Sequence, residues 1–310
     1  RTILAGGEET LAPALPFRQL IAQARLGTSE DAHATYFRTQ LADVDTPSLP
    51  FGMGEVHGDG EGVDEFRETL SASLNARLRE QARRHGVSLA SLCHLAWGQV
   101  VARTSGQDTA VFGTVLFGRM HGGEGADRAM GLFINTLPLR LDLGDMPVLE
   151  SVKLTHRKLA DLLQHEHASL ALAQRCSGVQ APAPLFGALL NYRHNRDLGA
   201  GLDAIRQLGI ELLSAEERTS YPFTLSVEDG GDSLGLTVQV VRPLNARAVA
   251  SYMHRALASL ATALETTPTC PVRDLAIIPD DERTLLLDTW NATDKDYPQD
   301  TCVHRMFEAQ

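Results

Sequence analysis

Asn135 is the polar residue whose surroundings most need a chemical explanation. It follows three apolar residues, 132–134, and begins a run in which Leu137, Leu139 and Leu141 share one side of a predicted strand. A buried carboxamide without hydrogen-bond partners costs about 1 to 3 kcal/mol. Two uses are therefore open to this side chain: it projects into a cavity at the strand edge, or it satisfies backbone groups at the turn before the strand.

Three further polar residues end or interrupt predicted strands. Asn191 lies near the end of the strand predicted at residues 185–193, and Ser226 lies in the first arm of a hairpin. Ser226 has no nucleophile-elbow glycines around it, which argues against a serine hydrolase. Arg119 follows the strand predicted at residues 109–117. Its permanent charge suits it to bind a carboxylate or a phosphate, and a structural salt bridge is the alternative.

Histidine and glycine spacings exclude two common kinds of site. His165 and His167 flank Glu166 without the His-Glu-x-x-His spacing of a zinc helix, so no metal site is predicted and a solvated helix end is expected. The glycines of residues 122–125 lack the Lys-Ser/Thr pair of a phosphate-binding loop. The cysteines form no CxxC pair, which indicates reduced thiols in a cytoplasmic protein: Cys93, Cys176, Cys270 and Cys302.

Charge and composition exclude other classes of partner. The chain has 310 residues, of which 43% are hydrophobic, a net charge of -11 and a pI near 5.4. A nucleic-acid partner is not expected, because binding a phosphate backbone needs clustered Lys and Arg. A membrane is not expected either, since no apolar stretch approaches the roughly 20 residues that span a bilayer, and no signal peptide is recognisable.

The apolar pattern predicts helices and strands in alternation. The predicted elements are helices at residues 17–25, 30–42, 70–85, 89–104, 147–167 and 246–265, and strands at 109–117, 137–141, 185–193, 221–228 and 233–241. Residues 43–62 are predicted to form a long surface loop with a short strand near 54–58. Strands interleaved with helices of about ten or more residues indicate an α/β layer sandwich.

Four motifs in order give the chain a family resemblance. The sequence Gly-Leu-Phe-Ile-Asn-Thr at residues 131–136 resembles a motif of the condensation domains of nonribosomal peptide synthetases. Residues 112–119 resemble the strand ending in Gly-Arg that precedes this motif. Residues 163–169 stand where the family has a His-Gln-Asp-Tyr-Pro-Phe element, and residues 184–192 resemble the Pro-Leu-Phe strand that follows.

The resemblance also predicts the domain organisation. Residues 286–298 and 302–310 are similar to the linker and the opening residues of an adenylation domain. Residues 1–28 are therefore predicted to connect from an amino-terminal lobe and residues 29–267 to form the carboxy-terminal lobe of the condensation domain. Residues 268–290 are predicted as a linker, and residues 291–310 as the start of the adenylation domain.

The residues of two segments indicate a subtype of condensation domain. Residues 41–52, and residues 165–176 in place of the usual His-Gln-Asp-Tyr-Pro-Phe-Glu, resemble the dual epimerisation/condensation subgroup. That subgroup is associated with inverting the upstream residue before joining it.

One family motif has no counterpart in the sequence. Condensation domains have a His-His-x-x-x-Asp-Gly motif in the amino-terminal lobe, and its second His is implicated in catalysis. No two histidines are adjacent in this chain. We therefore expect that the chain begins after that motif, that it contains no catalytic residue of its own, and that it is inert alone.

The resemblance implies a chloramphenicol acetyltransferase-like fold, in which helices cover a mixed sheet and a tunnel lies between two lobes. On the tunnel wall the candidates are Asn135, Asn191, Arg119 and Ser226, with Arg119 placed to bind a substrate carboxylate or the phosphate of a carrier arm. The substrates would be thioesters on phosphopantetheine arms, with no metal or soluble cofactor. The implied partners are carrier proteins, the amino-terminal lobe and a downstream adenylation domain.

Two other functions stay open. The first is a module that docks carrier proteins without chemistry, for which the arginines of residues 77–84 offer a basic surface, although a plain solvated face is the alternative. The second is a free-standing acyltransferase of the same superfamily that uses a coenzyme A thioester. The adenylation-like tail argues against the second.

Overall fold

The helices and strands predicted from the sequence occur in their predicted order, together with elements that were not predicted, among them the strand Val63–Thr69 and the helix Leu170–Arg175. The computed structural model describes residues 7, 16–56, 58–118, 130–194, 206, 209–211, 213, 217–296 and 300–310. The helices are α1 (Phe17–Leu26), α2 (Glu30–Leu41), α3 (Ala72–His85), α4 (Leu89–Ser105), α5 (Val148–Leu163), α6 (Leu170–Arg175), α7 (Ala246–Thr266), α8 (Asp280–Thr284) and α9 (Val303–Glu308). The strands are β1 (Val63–Thr69), β2 (Thr109–Leu116), β3 (Asn135–Asp142), β4 (Ala188–His194), β5 (Phe223–Asp229) and β6 (Leu234–Val241).

Capping residues set most helix ends where the sequence predicts them. Ser29 and Ser88 accept hydrogen bonds from the first turns of α2 and α4, and Gly86 ends α3 in the left-handed region at φ 66°. The predicted start of α5 at residue 147 is one position early, because Pro147 occupies the N-cap position and the helix begins at Val148. Helix α5 also ends at Leu163, since residues 164–168 form a turn.

Six strands form one mixed sheet in the order β1-β6-β5-β4-β2-β3. Strand β4 is parallel to both β2 and β5, and the remaining pairs are antiparallel. The predicted α/β class with a mixed sheet is therefore confirmed. The predicted hairpin is the β5–β6 pair, in which Phe223 lies opposite Val240 and Asp229 opposite Leu234.

Helix α4 is the centre of the helical layer. It packs against α3, α5 and α7 and against β2 and β4. The Trp97 ring stacks on Phe223 of β5 with centroids 5.0 Å apart, and both side chains are fully buried. Gly98 allows α4 to approach β3, since a Cβ there would lie 2.9 Å from Leu141 Cδ1. The layer therefore covers one face of the sheet with apolar side chains.

The described part of residues 43–62 is largely exposed or half-buried, as predicted for a surface loop, but the region around Ser48 is buried against the sheet. Ser48 is 1% exposed, and its hydroxyl accepts from the Val111 amide at 2.9 Å and donates to Gln107 Oε1. Its backbone also pairs with Leu185 and Gly187, so the segment is tied to the sheet. No strand forms at residues 54–56 or at residue 58, whereas β1 was missed. Its alternating polar residues were not recognised as an edge strand.

The chain divides into two compact units, Arg1–Ile277 and Ile278–Gln310. Within the first, Val272, Leu275 and Ile277 are buried and Gln99 donates to the Val272 carbonyl at 2.7 Å, although the sequence predicts a linker from residue 268. The second unit contains α8, which continues as a π-helical turn over Leu285–Thr289, and α9. The domain boundaries given above stay a prediction.

Two findings concern the chemical classes considered above. Within the described residues, no helix combines the length and apolar character needed to cross a membrane. Cys93, Cys176, Cys270 and Cys302 are all free thiols, and the first two are buried.

Asp229 joins α3 to the end of the β5–β6 hairpin. The carboxylate is nearly buried and accepts from Arg79, from the Tyr192 hydroxyl at 2.7 Å and from the Gly231 amide at 3.0 Å. Burial alone would raise the pKa of Asp229, but these hydrogen bonds outweigh it and lower the pKa from 3.8 to about 2. The ionised carboxylate therefore contributes to stability.

Gly118 and Gly131 make room for the Phe133 region of the motif. A Cβ at Gly118, which has φ 62°, would lie 2.3 Å from the Phe133 carbonyl oxygen. A Cβ at Gly131 would lie 2.3 Å from the ring of Phe17, and that ring packs edge-on against Phe133 at 5.1 Å. The contact of α1 with the motif therefore tolerates no side chain at Gly131, and the approach of the Phe133 carbonyl to the end of the preceding strand tolerates none at Gly118.

We predict that Gly118→Ala destabilises the fold more than Gly106→Ala. Both glycines have a left-handed φ, 62° and 67°, and an L-residue there costs about 1 to 2 kcal/mol. Only Gly118 adds a clash with backbone, worth about another 1 to 3 kcal/mol, because the space around Gly106 is open within 4 Å. Urea unfolding of both variants measures the difference. Equal losses of unfolding free energy would contradict the role assigned to Gly118.

A second prediction concerns acid stability. Because the pKa of Asp229 is lower in the folded state, its stabilisation is present above about pH 4 and is lost as the pH falls toward 2. Between pH 5 and 3 the wild-type chain should lose about 1 kcal/mol through this group. Urea unfolding at both pH values measures the slope of unfolding free energy against pH. In Asp229→Asn the part of this slope that comes from Asp229, about 1 kcal/mol between pH 5 and 3, should be absent.

Asp43→Asn is the matched control for this acid-stability prediction. Asp43 also pairs with an arginine, Arg140, and its pKa is lowered by that hydrogen bond, but its side chain is 69% exposed. Its replacement should leave the slope nearly unchanged. The prediction fails if Asp229→Asn keeps the full wild-type slope.

Candidate functional site

The uncovered face of the sheet has polar side chains in register across four strands. Because side chains alternate along a strand, the residues that flank those packed on α4 and α7 point to the opposite face. Three rows result, running from β4 to β1: Leu189, Thr224, Gln239 and Glu65; Asn191, Ser226, Thr237 and Arg67; Arg193, Glu228, Gly235 and Thr69. We call this surface the polar sheet face.

Asn191 and Arg193 are linked on β4. The Asn191 carbonyl oxygen accepts from Nε and Nη2 of Arg193, both at 2.8 Å, in the amide orientation that satisfies both side chains. Arg193 is in turn paired with Glu217 and lies 3.3 Å from Glu228 Oε1. The carboxamide of Asn191 therefore has a fixed orientation, with its NH2 group on the side away from Arg193.

Ser226 is the direct neighbour of Asn191. The two residues are register partners in the parallel β4–β5 pair, so their side chains lie side by side on the polar sheet face. Ser226 is 8% exposed and lines the cleft described next. A hydroxyl and a carboxamide, both able to donate, are thus brought together from positions far apart in the sequence.

A cleft of about 1010 Å³ runs along the polar sheet face. The charged residues on its lining include Glu65, Arg67, Arg193, Glu217 and Glu228. Both arginines are held by carboxylates, Arg67 by Glu65 at 2.7 Å. Gln239 bridges two walls, since its amide donates to Glu65 Oε2 and to the Glu217 carbonyl. The lining thus offers donors and acceptors without an excess of positive charge.

Asn135 lies apart from this cleft, at the first position of β3. Its NH2 group donates to the carbonyls of Glu166 and Ala168 at 2.8 and 2.7 Å, and its oxygen accepts from the Thr136 amide at 2.9 Å. The sequence left two uses open for this side chain, a cavity at the strand edge or hydrogen bonds to backbone groups. The structure shows the hydrogen bonds to backbone groups. Asn135 therefore holds residues 164–168 against the start of β3 through hydrogen bonds.

That turn packs against α2 rather than into solvent, which corrects the expected solvated helix end. Nδ1 of His165 lies 2.8 Å from Nδ1 of His33, and the His165 ring stacks on Tyr36 at 4.1 Å. Burial is the main cause that lowers the pKa of both imidazoles. Only one of the two facing nitrogens can bear the proton, so the contact requires a neutral partner.

The remaining candidates give three results. Arg119 lies outside the described residues. Among the arginines of α3, Arg77 is paired with Glu265 at 2.7 Å and Arg79 with Asp229, so part of that surface is neutralised. No cluster of His, Cys, Asp and Glu suited to a metal ion occurs within the described part of the chain.

Sequence reasoning missed Arg193, Glu228 and Gln239. A signal was present, because Arg193 and Glu228 follow the candidates Asn191 and Ser226 by two positions, and residues two apart on a strand share a face. The pairing of β4 with β5 was needed to recognise that both pairs line one cleft. That pairing joins distant segments and has no local signature.

Comparison with known proteins agrees with this architecture. The family model described as condensation domain matches residues 3–287. The chain is 58% identical over 295 residues to malpinin synthetase of Mortierella alpina, covering 95% of this chain and 4% of that protein. It is 56% identical over 310 residues to malpibaldin synthetase of the same organism, covering 99% of this chain and 6% of that protein. The chain thus spans a small part of these relatives.

Solved structures show the same fold at low sequence identity. A four-domain nonribosomal peptide synthetase, holo-AB3403 bound to AMP and glycine, superposes with a TM-score of 0.69 at 15% identity, over 92% of this chain and 23% of that one. The condensation domain of the monacolin K polyketide synthase MokA superposes with a TM-score of 0.65 at 21% identity, over 87% of this chain and 66% of that one. The X-domain from teicoplanin biosynthesis superposes with a TM-score of 0.66 at 20% identity, over 89% of this chain and 66% of that one.

These superpositions confirm the chloramphenicol acetyltransferase-like fold that the four motifs imply. The match of the family model over most of the sequence, together with the polar sheet face built on that fold, shows that the chain belongs to the condensation-domain family.

Proposed function

We propose that the polar sheet face is one wall of the substrate tunnel of a condensation domain that joins two carrier-bound substrates through an amide bond. The observation that supports this most directly is the cleft of about 1010 Å³, which has Ser226 in its lining and Asn191 beside Ser226 in the same cross-strand row. The family match supplies the reaction class, since malpinin synthetase and malpibaldin synthetase are named as synthetases. The substrates are aminoacyl or peptidyl thioesters on phosphopantetheine arms of carrier proteins.

The chemistry explains why such a wall needs fixed donors. A neutral amine attacks the thioester carbonyl, and negative charge develops on the carbonyl oxygen. Donors already aimed at that oxygen stabilise the charge without reorganising, and alignment of two tethered substrates lowers the barrier by several kcal/mol more, about 7 to 11 in favourable cases. The Asn191 NH2 group and the Ser226 hydroxyl are the donors that this chain supplies.

The group that handles the proton is proposed to lie on another part of the domain. The chain has no adjacent histidine pair and corresponds to 66% of the MokA condensation domain. By family resemblance, a His-His-x-x-x-Asp-Gly motif on an amino-terminal lobe acts as base or as hydrogen-bonding orienter for the amine. The resemblance of residues 286–310 to the linker and opening residues of an adenylation domain supports the proposal that the domain works within a multidomain synthetase.

For Arg119, which lies outside the described residues, the proposal from the family resemblance is that it binds a substrate carboxylate or the phosphate of the phosphopantetheine arm. Its guanidinium has a permanent charge and five donors in a planar fork, which match either anion. Asn135 serves the wall indirectly, because its three backbone contacts hold the motif in place.

We predict that the 310-residue chain alone makes no peptide from two loaded carrier proteins, and that adding the amino-terminal part of the same domain restores product. Product is measured by mass spectrometry of the acceptor carrier. The matched control is an amino-terminal part in which the second histidine of its His-His motif is replaced by Ala. That mixture should bind but give at least a hundredfold less product, in line with the loss of a general base of about 10² to 10⁴.

The same assay separates the proposal from a docking role. The X-domain from teicoplanin biosynthesis also occurs in a complex with OxyB, so a module that binds partners is the alternative function. Carrier binding without product in every mixture would favour that alternative. Product from this chain alone would contradict the assignment of the proton-handling group to another part of the domain.

We further propose that the domain belongs to the dual subgroup and inverts the donor residue before condensation. Residues 41–52 and 165–176 support this through their resemblance to that subgroup. A carrier loaded with an L-configured donor should then give a product with a D-residue, as measured by chiral chromatography after hydrolysis. A donor supplied as the D-thioester is the control and should condense without change. An all-L product would refute the dual assignment and leave the condensation proposal intact.

A further inference from the structure

We propose that Arg193 is a positioning residue that fixes the carboxamide of Asn191 so that its NH2 group, and not its carbonyl oxygen, is presented to substrate. The inference rests on the proposed function and deepens it. It assigns a role to a residue two positions beyond Asn191 that does not itself need to touch the reacting atoms.

The geometry supplies the first step. A carboxamide can rotate by half a turn and exchange its donor with its acceptor at almost no cost to packing. Arg193 removes this freedom, because only with the amide oxygen turned toward it can Nε and Nη2 both donate to Asn191, at 2.8 Å each. An arginine has no acceptor, so the reversed amide would place NH2 against N–H and lose both hydrogen bonds.

Arg193 is itself immobilised, which is the second step. Its guanidinium is paired with Glu217, and its Nη1 lies 3.3 Å from Glu228 Oε1. Glu228 is the cross-strand register partner of Arg193 on β5, so the sheet places the two side chains next to each other. The planar guanidinium of Arg193 thus has contacts on three sides, which hold it in one orientation. That orientation in turn determines the orientation of the Asn191 amide.

The third step concerns the neighbour of the amide. Ser226 is the register partner of Asn191, and both Ser226 and Arg193 line the cleft. A substrate carbonyl that approaches Ser226 therefore meets the NH2 group of Asn191 as a second donor. With the amide reversed, that carbonyl would meet an oxygen, and the contact would change from attractive to repulsive.

The test is a double-mutant cycle in the reconstituted condensation assay, with kcat and KM measured for Asn191→Ala, Arg193→Gln and the double variant. We expect Asn191→Ala to lower kcat about a hundredfold, as for loss of an oxyanion donor. Arg193→Gln should lower kcat about tenfold with little change in KM. In the Asn191→Ala background, Arg193→Gln should have no further effect, since there is no amide left to orient.

Two more variants keep the result interpretable. Asn191→Asp retains the pairing with Arg193 but has no donor, so it should be as slow as Asn191→Ala while remaining at least as stable to urea. Arg273→Gln removes an exposed ion pair with Asp145, 2.9 Å long, and should leave kcat unchanged. It thereby controls for the mere loss of an arginine–carboxylate pair.

The outcomes are distinguishable from one another. Additive losses in the double variant, or full activity of Arg193→Gln, would overturn the positioning role while the wild-type protein still made product. Absence of product from the wild-type protein in the complete mixture would count against the proposed function instead. An Arg193→Gln variant that loses activity only because it unfolds would show a lowered urea midpoint that Arg273→Gln does not share, and would likewise overturn the role.

Discussion

The alternation of side chains across one mixed sheet is the constraint on which the rest of the structure depends. Helix α4 buries apolar residues against one face, anchored by the stack of Trp97 on Phe223. Because side chains alternate along a strand, the neighbours of each residue on that face point to the opposite face of the sheet. Asn191 and Ser226 are therefore side by side because β4 and β5 are parallel and in this register. A shift of one residue would bury the polar set and expose the apolar one.

Within the Gly-Leu-Phe-Ile-Asn-Thr motif, the structure separates architecture from chemistry. Gly131 makes room for the ring of Phe17, Gly118 for the carbonyl of Phe133, and Asn135 closes the turn at residues 164–168. These are structural tasks, and they explain why the motif identifies the fold. The groups proposed to meet substrate lie on β4, which overlaps the Pro-Leu-Phe motif of residues 184–192, and on β5, which has no family motif of its own.

Much of the fold could be predicted from the sequence because its signals are local. Serine caps and glycine ends located α2, α3 and α4, and alternation located β3 and the β5–β6 hairpin. Strand β1 was missed because its residues alternate weakly and it pairs with β6 from far along the chain. The same limit applies to the site. Asn191 and Ser226 were selected singly by residue type, whereas Arg193 becomes meaningful only once the amide contact is seen.

The parallel pairing of β4 with β2 has a consequence for how the polypeptide acquires its structure. Strands β2 and β3 form an antiparallel pair within residues 109–142, but the other edge of β2 has no partner in the sheet until residues 188–194 are present. An unpaired apolar strand edge is a template for association with other chains. While β4 is absent, that edge of β2 is therefore open to association with other chains. Separate expression of segments that end before residue 188 would leave that edge permanently open.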